Sequence, residues 1–138
     1  MLEVEVLGAG RGAGDAELPS PAQVRRLCIL AAGSRGVADG HVAVEFVDEQ
    51  RIAQLNGEHR NRPEPTDVLS FPIDGAAGAL QAGAGAYELG DVIICPARTL
   101  DIREAVVHGV LHLLGMDHET DDGEMLTLQR ELLAAERR

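Results

Sequence analysis

The fold of this chain is decided by residues 108–118, His-Gly-Val-Leu-His-Leu-Leu-Gly-Met-Asp-His, which hold three of its five histidines. If the stretch begins as a helix, each residue turns by about 100°, so His108 and His112 lie one turn apart on one face. Gly115 is typical of the left-handed cap that ends a helix and lets the chain reverse. His118 can then return as a third metal ligand. Three neutral imidazoles leave one position open for water, as in catalytic zinc sites.

The all-nitrogen ligand set favours zinc, one ion per chain, over other first-row metals. A lone histidine on a helix is more often a packing residue than a ligand. Three histidines at this spacing, with a glycine turn between the second and the third, are hard to explain by packing. We therefore predict a metal site at His108, His112 and His118.

The spacing His-x-x-x-His-x-x-Gly-x-x-His is also that of a zinc-protease signature, in which a Glu after the first His acts as the general base. Gly109 stands at that position here, which argues against peptide hydrolysis. A glycine inside a helix costs about 1 kcal/mol relative to Ala and suggests a close approach of backbone or substrate. Glu104 could accept the second ring proton of His108, although such a residue is more often simply exposed.

Composition indicates an ordinary globular protein of 138 residues, and we expect a single domain over residues 1–138. The net charge is −11, with 12 Arg and no Lys, so RNA binding would need a local basic patch or a partner. No long apolar run or secretory signal is visible, which predicts no membrane association. Cys28 and Cys95 are too few for a disulfide framework and indicate buried thiols of the cytoplasm.

Hydrophobic periodicity predicts four strands and four helices in the order β-α-β-α-β-β-α-α. The predicted strands are Leu2–Leu7, His41–Val47, Val68–Phe71 and Leu89–Cys95. The predicted helices are Ala22–Ala32, Asp48 to about Asn56, about Ala97 to Leu114, and about Asp122 to Glu136. This order indicates an α+β fold with a small mixed four-stranded sheet packed with helices and a zincin-like metal helix.

The last helix carries two further predictions. Asp121 and Glu124 resemble a capping box at its start. Its apolar positions are expected to face the core; these are Met125, Leu126, Leu128, Leu132 and Leu133.

Three motifs resemble those of the YbeY endoribonucleases, which are bacterial ribosomal-RNA maturation factors. Residues 108–118 match the family's H-G-x-L-H-L-x-G-[YFM]-D-H. LNGEHR at Leu55–Arg60 with PTDVLSFP at Pro65–Pro72, and LGDVIIC at Leu89–Cys95, agree in the right order. The motifs span most of residues 41–120. The segment between Cys95 and His108 is short for the family. The helix that carries the histidines could therefore begin at a different position from the family's.

The resemblance implies that His108, His112 and His118 are zinc ligands and that Arg60 is a functional residue. It implies a single-strand-specific endoribonuclease, a metal-dependent hydrolase of phosphodiesters, in small-subunit ribosomal RNA 3′-end maturation and ribosome quality control. The implied partners are ribosomal RNA within the small subunit, a small-subunit ribosomal protein and a ribosome-associated GTPase.

The residues leave parts of this chemistry open. The forked guanidinium of Arg60 suits a phosphate. The residues alone favour a solvated charge paired with Glu58 or Glu64, and the resemblance favours the functional role. We assign no general base. Asp117, His59 and Ser70 are weak candidates for that role. The alternative functions are a ribosome-associated assembly factor with a structural zinc and, less favoured, a zinc peptidase.

Overall fold

A computed structural model describes residues 2–8, 18–74, 88–117 and 119–137. It contains one mixed sheet and four α-helices in the predicted order. The strands are β1 (Leu2–Leu7), β2 (Gly40–Phe46), β3 (Val68–Pro72) and β4 (Glu88–Ile94). The helices are α1 (Pro21–Ser34), α2 (Glu49–Arg60), α3 (Ile102–Leu113) and α4 (Glu124–Glu136), with a 3-10 turn at Pro96–Arg98 before α3. None of the helices in these ranges is long and apolar enough to cross a membrane.

The sheet has the order β1-β2-β4-β3, with β3 antiparallel to β4 and the other pairs parallel. Alternation along the strands divides the core into two clusters. On one face, Val42, Val44 and Phe46 pack with α1, α3 and α4. On the other, Leu69 and Ile93 pack with α2. The predicted α+β class is confirmed, and the helices cover the sheet unequally.

The third helix is the central element of the larger cluster, since it contacts β3, β4, α1 and α4. The close approach predicted at Gly109 is a contact with the sheet. A Cβ built there would collide with the Val92 Cγ1 methyl and lie 3.1 Å from Cγ2. The Ser70 hydroxyl donates a hydrogen bond of 3.0 Å to the Gly109 carbonyl. The missing side chain thus lets α3 lie directly on β4.

The predicted start of this helix, near Ala97, is wrong. Thr99 follows the 3-10 turn with extended backbone, φ −118° and ψ 125°. The helix begins only after Asp101, whose carboxylate accepts a 3.3 Å hydrogen bond from the Glu104 N–H. Local side-chain capping at Asp101 therefore overrides the apolar pattern that suggested one continuous helix.

Two other helix boundaries also differ from expectation. Helix α2 runs past Asn56 to Arg60 and ends where Asn61 takes a left-handed conformation, φ 58°. At the start of α4, Asp121 accepts hydrogen bonds from the N–H groups of Gly123 and Met125, at 2.8 and 2.9 Å. The predicted capping residues do bond locally, but the helix begins two residues later than Asp122. Leu126, expected in the core, is 43% exposed.

A buried carboxylate joins three of the helices. Glu136 on α4 accepts hydrogen bonds from Gln23 and Arg26 of α1, at 3.2 and 3.3 Å, and from Arg103 of α3. Burial alone would raise the pKa of Glu136, but the hydrogen bonds from Arg103 and Gln23 and the charge of Arg103 outweigh it and lower the pKa. The ionised form is therefore favoured in the folded protein.

Replacing this carboxylate should destabilise the protein in a pH-dependent way. We expect Glu136→Gln to lower the free energy of unfolding at pH 7 by about 1 to 3 kcal/mol, because Arg103, Arg26 and Gln23 lose a charged acceptor. A lowered folded-state pKa contributes stability above the ordinary value of 4.5, and that contribution is lost as pH falls below it. Urea unfolding at pH 7 and at pH 3.5 should show the difference from wild type shrinking in acid. Glu131→Gln, exposed on the same helix, is the control, and an equal effect from it would contradict this assignment.

The helix–sheet contact yields a second stability test. Ala has a higher helix propensity than Gly, yet we expect Gly109→Ala to lower the free energy of unfolding by about 1 to 2 kcal/mol, because of overpacking against Val92. Adding Val92→Ala should make the double variant more stable than the sum of the single changes predicts. Gly33→Ala in α1, where a Cβ meets no atom within 4 Å, should be neutral or stabilising. Additive losses in the double variant would refute the contact.

Candidate metal centre and groove

The two helical histidines of α3 lie together as predicted. Their rings are 4.6 Å apart between centroids and nearly perpendicular, at 77°. The Nε2 atoms of His108 and His112 are 3.1 Å apart. Two nitrogen ligands of a tetrahedral zinc lie about 3.3 Å apart, so this pair fits such an ion with little movement. The same distance also suits an N–H···N hydrogen bond between the rings.

The third predicted ligand, His118, lies outside the described residues. Among the residues that are described, no group of three or more His, Cys, Asp or Glu is arranged to hold a metal. The three-histidine site and the zincin-like metal helix therefore stay predictions.

The helix carrying these histidines ends as Gly115 predicts. Gly115 has φ 91° and donates its N–H to the His112 carbonyl at 3.0 Å, while Met116 donates to the Leu111 carbonyl at 3.1 Å. These two bonds form a Schellman motif, which needs a left-handed residue. Asp117 follows, and its carboxylate accepts a 2.9 Å hydrogen bond from the Glu119 N–H. Asp117 thus stabilises the turn beyond α3.

A glutamine that the sequence reasoning missed contacts the first histidine. Gln129 on α4 is 4% exposed, and its Oε1 accepts a 2.9 Å hydrogen bond from Nδ1–H of His108. With the proton on Nδ1, the lone pair of His108 is on Nε2, the atom nearest His112. Glu104, the partner suggested by sequence, is exposed and lines a smaller depression together with His108. The sequence signal that could have identified Gln129 is its place as a polar residue between Met125 and Leu132, on the helical face that points inward.

The paired histidines line a groove of about 810 Å³. Its walls come from the end of α2, the whole of β3, the exposed side of α3 and the turn after it. The lining residues are His59, Arg60, Thr66, Asp67, Val68, Leu69, Ser70, Phe71, Pro72, His108, His112, Asp117 and Glu119. The groove is therefore much larger than a single metal ion needs.

Arg60 is the last residue of α2, exposed beside the groove. Its guanidinium forms no ion pair with Glu58 or Glu64 within the described ranges. The turn after it is pinned by Asn56, whose side-chain amide donates a 3.0 Å hydrogen bond to the Glu64 carbonyl. Its position on a fixed helix end leaves the charged head available to a ligand.

The other candidate residues divide between the groove and its surroundings. The rings of His59 and Phe71 lie 4.6 Å apart and both line the groove. Arg51 lies in a neighbouring depression on the other side of this ring pair, and Arg62 lines neither. Of the three arginines Arg51, Arg60 and Arg62, Arg60 is the one that lines the groove in the described part of the chain.

The groove is acidic apart from Arg60. Among the lining residues that the structure describes, Asp67, Asp117 and Glu119 give three carboxylates against one guanidinium. An anionic ligand would be repelled from this surface unless a cation lay near the histidines, and a divalent ion would offset the excess. The charge balance and the imidazole pair thus point to the same kind of site.

The sheet, the buried helix and the groove define an α+β protein with a pair of imidazoles in an open groove. Comparison with known proteins identifies the family. The model of the family Endoribonuclease YbeY matches residues 22–136. The chain belongs to this family, which confirms the resemblance carried by its motifs.

Relatives named endoribonuclease YbeY align over most of their length. The protein from Rubrobacter xylanophilus is 38% identical, over 99% of this chain and 97% of that protein. The protein from Macrococcus caseolyticus is 37% identical, over 82% and 83%. A solution structure from Thermotoga maritima superposes with a TM-score of 0.54 and 26% identity, covering 96% of this chain and 88% of that chain.

Proposed function

We propose that this protein is a zinc-dependent, single-strand-specific endoribonuclease that acts in small-subunit ribosomal RNA 3′-end maturation and ribosome quality control. The zinc ligands are His108, His112 and His118, with one ion per chain. The observation that carries the proposal is the imidazole pair in a large groove that Arg60 also lines, in a member of this family.

Zinc, when bound, supplies an activated water and positive charge next to a phosphate. The chain's own residues supply the rest. His108 and His112 bind as neutral imidazoles, and the forked donors of Arg60 hold phosphate oxygens and stabilise the charge that develops during cleavage. Asp67, Asp117 and Glu119 keep the unloaded groove acidic, so RNA binding is coupled to metal binding.

The aromatic rings in the groove support a preference for single strands. Bases of an unpaired strand expose their faces and stack on aromatic side chains, whereas paired bases do not. His59 and Phe71 provide such rings directly beside Arg60. One phosphate and a neighbouring base can thus be held together.

A zinc peptidase is disfavoured by packing as well as by sequence. The protease base would occupy position 109, where even a Cβ collides with Val92. A glutamate there could not point into the groove without displacing α3 from the sheet. An assembly factor with a structural zinc remains the second candidate, because no described groove residue is assigned as the proton carrier.

Cleavage assays separate these functions. With a single-stranded ribosomal RNA fragment, we expect His112→Ala to lose stoichiometric zinc and nearly all cleavage. Arg60→Ala should keep zinc and lower kcat by about 100-fold or more, because transition-state charge loses a donor. Arg62→Ala, two residues along and outside the groove, is the matched control and should behave as wild type.

Zinc content, RNA cleavage and cleavage of a generic peptide should be measured on the same preparations. RNA cleavage that survives both His112→Ala and Arg60→Ala would come from a contaminating nuclease and refute the proposal. Zinc removal that lowers Tm in a protein without turnover would support the structural-zinc alternative.

We further propose that a basic partner delivers the substrate, namely a small-subunit ribosomal protein, with a ribosome-associated GTPase as the other implied partner. An acidic sheet face supports this. Beside α2 it has a depression of about 580 Å³, and its carboxylates are Glu3, Glu5, Glu45, Glu88 and Asp91. Burial, and then the nearby Glu88 carboxylate, raise the pKa of Asp91. Such a surface attracts basic protein more than RNA.

Because Cys28 and Cys95 are free and buried, we place this activity in the cytoplasm.

Charge reversal on this face tests the partner. We expect Glu5→Arg to weaken co-sedimentation with small ribosomal subunits by about 10-fold while cleavage of free RNA stays at the wild-type rate. Glu131→Arg changes the charge equally on α4 and is the control. Equal losses in both variants would show a general charge effect rather than a docking face.

A further inference from the structure

We propose that Gln129 is a positioning residue that fixes the tautomer and ring orientation of His108, so that the Nε2 lone pair is held ready for the metal. The inference rests on the proposed zinc site and adds a residue from a different helix to it. Its basis is the 2.9 Å hydrogen bond from Nδ1–H of His108 to Gln129 Oε1.

The burial of Gln129 indicates that this hydrogen bond is specific. Gln129 is 4% exposed, between Met125 at 0% and Leu132 at 8% on the inward face of α4. An amide in such surroundings costs free energy unless it is hydrogen-bonded, and a leucine would pack there without that cost. His108 is the side chain that satisfies the carbonyl oxygen of this amide. The polar residue therefore has a reason to be there that packing does not supply.

The amide also suits the charge of the site. An Nδ1–H donor needs an acceptor, and a histidine ligand usually donates this proton to a carboxylate, carbonyl or water. Gln129 accepts it without adding a fourth negative charge to a groove that already contains three carboxylates. The amide fixes the proton on Nδ1 and leaves His108 a neutral ligand.

The second helix is held firmly enough to act as a support. Arg103 of α3 donates hydrogen bonds to Glu136 and, at 3.4 Å, to the Leu133 carbonyl, both on α4. Met125 and Leu132 lie in the same core cluster as α3. Because both helices are fixed to each other on either side of the contact, the acceptor of Gln129 stays in place when the metal is absent.

Zinc affinity and the His108 tautomer test the role directly. Gln129→Met keeps the length of the side chain and removes the acceptor; we expect its zinc Kd to rise about 10- to 100-fold, the usual effect of losing an outer-shell partner. Gln129→Glu restores an acceptor and should bind zinc within a few-fold of wild type. Glu131→Gln, exposed on α4, is the control and should bind zinc as wild type does. Affinity is measured by competition with a chromophoric chelator at pH 7, without RNA.

Imidazole ¹⁵N NMR of the metal-free proteins supplies a readout that a merely structural contact would not move. Wild type should show His108 protonated on Nδ1, and Gln129→Met should show a mixture of tautomers. Unchanged zinc affinity and an unchanged tautomer in Gln129→Met would overturn the inference. If this variant fails to fold by circular dichroism, Gln129→Asn, which withdraws the acceptor by one bond, replaces it under the same criteria. A wild-type protein that binds no zinc would refute the proposed function instead, while the NMR comparison still decides the role of Gln129.

Discussion

The close packing of α3 on the sheet is the constraint on which the rest of this structure depends. It is possible because Gly109 has no side chain, so the helix backbone lies against Val92 and accepts a hydrogen bond from Ser70. That contact sets the depth and rotation of the helix. One side is thereby buried in the core, and the other presents His108 and His112 to the groove. The same glycine that brings the helix onto the sheet also removes the place where a protease base would stand.

Around this helix, polar groups are placed where three helices meet. The carboxylate of Glu136 connects α1, α3 and α4, and the amide of Gln129 reaches His108 from α4. Both side chains lie at positions that would otherwise be apolar. Their burial is tolerated because each is hydrogen-bonded, and each bond restricts how α4 sits on α3. The orientation of a site residue is thus coupled to the packing of the domain's last helix.

Charge distribution separates two surfaces with different uses. Among the described residues that line it, the groove has one guanidinium, that of Arg60, and three carboxylates, so a bound cation would strengthen its attraction for a phosphate. On the acidic sheet face the carboxylates outnumber His41 and Arg51, and burial followed by the Glu88 carboxylate raises the pKa of Asp91 there. A protein with net charge −11 can therefore engage RNA only locally. Delivery by a basic partner and a metal-dependent contact at the groove are compatible with that charge.

Local patterns in the sequence were enough to determine the element order, the four strands, the shared face of His108 and His112, and the left-handed turn at Gly115. These features follow from periodicity and backbone preference, which act over a few residues. The start of α3 was misjudged because the capping bond at Asp101 competes with an apolar pattern that continues past it. Only the tertiary structure decided that Gln129, on another helix, accepts the Nδ1 proton of His108. It also decided that Gly109 is needed for the contact with Val92 and that Arg60 is exposed beside the groove. Each depends on contacts between residues far apart in the chain, where distance and burial select the partner and sequence spacing does not.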